Sequence, residues 1–89
     1  MAEFLVELYL ASGDTASLER SSKRARQVAE LLTSEGTPVR YLRSIFVPDD
    51  ETCFLMYEAG SAEAVRAAAT RAELRFERVT QAIAAGEQA

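Results

Sequence analysis

Three stretches of the chain carry hydrocarbon on both strand parities. They are Phe4-Leu5-Val6-Glu7-Leu8-Tyr9-Leu10, Tyr41-Leu42-Arg43-Ser44-Ile45-Phe46-Val47 and Cys53-Phe54-Leu55-Met56-Tyr57. A strand with one wet face alternates apolar and polar residues, so these patterns predict strands with two faces to bury. In the first, Phe4, Val6, Leu8 and Leu10 form one purely apolar parity, and Leu5, Glu7 and Tyr9 form a mixed one. Between the strands, Leu18, Ala25, Val28, Ala29 and Leu32 recur at helical spacing, as do Val65, Ala68, Ala69 and Ala72. Asp14, Thr15 or Ser17 can cap the first helix and Ser61 the second, and Gly36 and Pro38 end the first.

The residues therefore predict strands at about 3–11, 39–47, 52–59 and 76–83 and helices at about 16–35 and 61–73, in one domain covering 1–89. Pro48-Asp49-Asp50-Glu51 is the turn between the second and third strands. The order β-α-β-β-α-β packs as an α+β, ferredoxin-like fold: a four-stranded antiparallel sheet with both helices on one face. The tail from Ala84 to Ala89 is expected to fray or to reach over a neighbour.

Two helices roof one face of such a sheet, and the other needs a different cover. A turn centred on Asp49-Asp50 would set Ile45 opposite Phe54, Arg43 opposite Met56, Tyr41 opposite Glu58 and Leu42 opposite Tyr57. On the helix side this gathers Phe4, Val6, Leu8, Leu42, Phe46, Cys53 and Leu55. On the open side it leaves Leu5, Tyr9, Tyr41, Ile45, Phe54 and Met56 as candidate ligand-binding residues, beside Glu7, Glu58 and Arg43. A monomer showing that much apolar surface would associate, and the simplest cover is a second copy of the chain.

Composition narrows the chemistry. With 48% hydrophobic and 27% charged residues the chain is an ordinary folded domain. Its net charge of -4 gives no reason to seek nucleic acid, and Arg20, Lys23, Arg24 and Arg26 fit the solvated face of the first helix. No basic-then-apolar leader opens the sequence, and no run approaches the ~18 apolar residues of a membrane helix, so a cytoplasmic protein without membrane contact is expected. There is no histidine, which excludes Ser-His-Asp and Cys-His catalysis in their usual forms. The single cysteine, Cys53, lies in the most apolar strand and reads as a buried inert thiol. Asp49, Asp50 and Glu51 lack the spacing of a dedicated calcium loop. No cofactor and no metal site are expected from the residues.

The opening strand, the Tyr41-to-Val47 strand with its acidic turn, the run Cys53-Phe54-Leu55-Met56-Tyr57-Glu58-Ala59 and the helix from Ser61 to Ala72 together resemble a family of small proteins known mainly as a domain of unknown function, some members being described as nickel-binding. The resemblance implies a ferredoxin-like domain that pairs into a dimeric α/β barrel. It also implies nickel, a metal that imidazole suits and for which this sequence has no imidazole. The first expectation is a homodimer, or an assembly of dimers, that binds a small, partly apolar molecule between two sheets. The second is a cofactor-free enzyme of monooxygenase, isomerase or cyclase type, with Glu7 or Glu58 as base, Arg43 holding developing negative charge and Tyr9 or Tyr41 orienting the substrate.

Overall fold

A computed structural model describes residues 1–86, and the expectation for the last three residues of the tail lies outside them. The elements are β1 (Ala2–Tyr9), α1 (Thr15–Ser34), β2 (Val39–Val47), a 3-10 turn (Pro48–Asp50), β3 (Thr52–Ala59), α2 (Ala62–Arg71) and β4 (Phe76–Ala82). The strands form one antiparallel sheet in the order β2-β3-β1-β4, and with the element order this is the ferredoxin-like α+β fold.

Local chemistry sets the helix ends. Asp14 accepts the Ser17 N–H at 3.1 Å and starts α1, and this contact with Ser17 holds its carboxyl below the ordinary value. Ser61 caps α2 in the same way, accepting the Ala64 N–H at 3.2 Å. α1 closes on Gly36 at φ 102°, where the Thr37 N–H reaches Leu32 O at 2.9 Å and the Gly36 N–H reaches Thr33 O at 3.1 Å. Arg71 then forks onto Glu35 at 2.8 and 3.1 Å, tying the end of α2 to the end of α1.

Both helices press their narrow stripes, Ala25, Ala29 and Leu32 from α1 and Val65, Ala68 and Ala69 from α2, onto one side of the sheet. Alanine at most of these positions lets the helices approach closely. The strands answer with Phe4, Val6 and Leu8, and with Cys53, Leu55, Tyr57 and Ala59. Among the described residues no buried side chain is charged, and every buried residue belongs to the apolar set. Truncating one of its larger members, such as Leu55→Ala, belongs to the class of change that costs about 2–5 kcal/mol.

The β2–β3 hairpin departs from the expected register at one point. Val47 pairs with Thr52, Phe46 with Cys53, Ile45 with Phe54, Ser44 with Leu55 and Arg43 with Met56; then Leu42 is left over, and Tyr41 faces Tyr57 while Arg40 faces Glu58. Leu42 is the extra residue of a β-bulge. Because strand parity is two, one extra residue sends everything beyond it to the opposite face. Tyr41 is thus on the helix side, edge-on to Tyr57 with ring centroids 5.9 Å apart, and not opposite Glu58; Leu42 does not face Tyr57. The expected pairing failed because an unbroken two-residue repeat carries no mark of an inserted residue.

Tyr57 is fully buried, and its hydroxyl has no hydrogen-bond partner among the described residues. Burial, reinforced by the neighbouring Tyr41, drives its ionisation far above the ordinary phenol value. An unpartnered buried hydroxyl forfeits its hydration without recompense. Tyr57→Phe is therefore expected to raise the unfolding free energy by about 1 kcal/mol in denaturant melts, with an unchanged circular dichroism spectrum. A loss of stability would mean that the hydroxyl is bonded in solution.

Candidate functional site

The open side of the sheet is built from one parity of each strand. The central strands contribute Glu3, Leu5, Glu7 and Tyr9 from β1 and Thr52, Phe54, Met56 and Glu58 from β3. β2 adds Arg40, Arg43, Ile45 and Val47 at one edge, and β4 adds Arg78, Thr80 and Ala82 at the other. Read across the strands, one row is Ile45-Phe54-Glu7-Arg78 and the next is Arg43-Met56-Leu5-Thr80. Leu5, Ile45, Phe54 and Met56 are consequently contiguous, with no helix over them, and Ile45 is 43% exposed.

Of the six apolar and aromatic residues expected here, these four form the patch, Tyr9 stands at its end with 61% exposure, and Tyr41 is on the other face because of the bulge. Each of the two carboxylates is paired with an arginine of the same chain. Glu7 accepts Arg78 Nε at 2.7 Å, and Glu58 accepts an Arg40 terminal nitrogen at 3.1 Å. Arg43 is in neither pair. It is exposed and stands opposite Met56. Arg40 and Arg78 went unrecognised in the sequence: Arg78 depends on the β1–β4 register, Arg40 on the bulge. Both pairs are surface pairs, each contributing about 0–1 kcal/mol; together they balance the charge of the two carboxylates that border the patch.

Two concave surfaces lie away from the centre of this face. Two adjoining grooves run between α1 and β2, the uncovered edge strand. One, of about 410 Å³, is lined by Arg26, Ala29, Glu30, Thr33, Val39, Arg40 and Tyr41. The other, of about 580 Å³, is lined by Leu18, Glu19, Ser22, Lys23, Arg26 and the stretch Tyr41-Leu42-Arg43-Ser44. The acidic turn is structural. The Ser12 N–H donates to Glu51 Oε2 at 2.9 Å and the Leu10 N–H to Glu51 O at 3.0 Å, pinning the exit of β1 to the hairpin.

A family model described as nickel responsive protein SCO4226-like matches residues 4–82. The chain belongs to the SCO4226-like family. The crystal structure of SCO4226 from Streptomyces coelicolor A3(2) superposes with a TM-score of 0.74 at 17% identity, over 96% of this chain and 100% of that one, a likeness of fold. No curated protein matches the chain.

The family description raises nickel, and the donor set of this member does not fit it. The sequence offers no histidine, the thiol of Cys53 is buried, and no three Cys, Asp or Glu side chains gather into a metal-sized group among the described residues. Burial pushes the Cys53 thiol above its ordinary value, away from the thiolate that a metal or an electrophile needs. A thiol reagent such as DTNB should accordingly label native Cys53 only at the rate of unfolding, and label it promptly in denaturant. Fast labelling of the native protein would show that the strand opens locally.

Proposed function

We propose that the chain acts as a homodimeric binding module, two open sheet faces closing over a small, partly apolar molecule. The observation that carries this is the contiguous patch of Leu5, Ile45, Phe54 and Met56 on the side of the sheet that no helix covers. Apolar surface of this kind on a small domain is a standing drive for association. A face covered on one side only does not enclose a ligand, so such a site is complete when a second sheet supplies the opposite wall. The family resemblance to dimeric α/β barrels favours the same arrangement.

Binding is favoured over catalysis by the charges. Glu7 and Glu58 are each engaged by an arginine of the same chain, which leaves the patch bordered by neutral pairs instead of an available acid and base. The remaining cation, Arg43, could anchor a polar end of a ligand whose apolar body rests on Phe54 and Met56.

Sedimentation should report a dimer at micromolar concentration, and Phe54→Lys should produce a folded monomer by placing a charge at the centre of the contact. The apolar dye ANS, used as a probe ligand, should saturate at one molecule per two chains and lose that stoichiometry in Phe54→Lys. A wild-type monomer, or dye uptake at one per chain in both proteins, would overturn the proposal.

A further inference from the structure

The bulge at Leu42 has a chemical product on the helix side of the sheet. By turning Tyr41 inward it places the ring beneath Arg26, whose guanidinium carbon lies 5.4 Å from the ring centroid. The Tyr41 hydroxyl meets Ser44 Oγ at 2.5 Å, and Ser44 Oγ meets Ser22 Oγ at 2.6 Å. All three hydroxyls line the larger α1–β2 groove. Three hydroxyls joined by two hydrogen bonds have one O–H left to donate, and it has no protein acceptor among the described residues.

Charge points the same way. Lys23, Arg26 and Arg43 line this groove, and none of them is in an ion pair among the described residues, although four other arginines are. Against these three cations the lining holds one carboxylate, Glu19. A concave surface with a surplus of two positive charges, in a chain whose net charge is -4, is a local reversal of the molecule's field. Arg26, held over Tyr41, is a preorganised planar donor, and planar guanidinium with hydroxyl donors is the chemistry that recognises phosphate.

We propose that the groove between α1 and β2 binds a phosphate dianion, free or carried as the monoester of a small molecule. The dianion matches the surplus charge of the lining. Arg26 and Arg43 supply guanidinium donors, Lys23 a mobile ammonium, and the Ser22-Ser44-Tyr41 chain a hydroxyl donor. The volume of about 580 Å³ is in the range of small-molecule sites, and Leu18 and Leu42 give an organic substituent an apolar wall. Lys23, Arg26 and the three hydroxyls belong to the helix side and do not depend on what covers the open face, while Arg43, at the sheet edge, borders both surfaces.

The test is an NMR titration of the full chain, in its native assembly, with inorganic phosphate and with phenyl phosphate at constant ionic strength. Saturable shifts are expected at the Ser22, Arg43 and Ser44 amides, with affinity falling about ten-fold in Arg26→Gln and in Arg43→Gln. Arg66→Gln, on exposed α2 outside the groove, should bind as the wild type does. Circular dichroism of each variant checks that it folds. Tighter binding of phenyl phosphate supports the monoester as ligand, and equal binding supports the free ion. Shifts that never saturate, or an equal loss of affinity in Arg66→Gln and Arg26→Gln, would overturn the proposal.

Discussion

A four-stranded sheet has two faces, and this chain covers one. That imbalance governs everything else in the molecule. On the covered side, alanine-lined helices sit tightly on Val6, Leu55 and Tyr57, and the core contains no charge that needs a partner. On the other side lie Leu5, Ile45, Phe54 and Met56, residues that would be expected in a core if a third layer existed. Burying apolar surface is worth about 25 cal/mol per Å², and a small domain has little other stabilisation to draw on. At the border of the patch Glu7 is paired with Arg78 and Glu58 with Arg40, so these four side chains carry no net charge together.

The edge strand β2 gives the fold its second asymmetry. One extra residue, Leu42, leaves Arg43 and Ile45 on the open face and delivers Tyr41 to the helix side. The same strand therefore serves the apolar patch with one face and the α1 groove with the other. Bulges at sheet edges re-aim side chains at the cost of a ladder position, and here the re-aimed side chain organises Arg26 and the Ser22-Ser44 hydroxyls around itself.

The element order and the two-sided hydrophobicity were legible because they rest on periodicity, which a sequence displays directly. The pairing of Ile45 with Phe54 and of Arg43 with Met56 was legible for the same reason, since both lie between the turn and the bulge. Beyond Leu42 alternation misleads: a bulge leaves the pattern of residue types untouched, so parity alone puts Tyr41 on the wrong face and gives no sign that Arg40 faces Glu58. The pairing of Glu7 with Arg78 was hidden for another reason. It joins the first and last strands, and a second irregularity, between Glu7 and Leu8, shifts the β1–β4 register beside it. Arg20, Lys23 and Arg26 are exposed, as helical spacing predicts, but that spacing cannot reveal that β2 forms the opposing wall of a groove beside Lys23 and Arg26. Family membership agrees with the fold, and the chain has no histidine to offer the nickel that the family's description names.

The proposed meeting of two open faces is the central claim. Its most direct measurement is an isotope-filtered NOE experiment on a mixture of labelled and unlabelled chains, observing the Met56 methyl group. Contacts are predicted from this methyl across the filter to Leu5, Ile45 or Phe54 of another molecule, together with protection from a soluble paramagnetic agent. A Met56 methyl without intermolecular contacts, and broadened by the agent as freely as an exposed side chain, would contradict the claim.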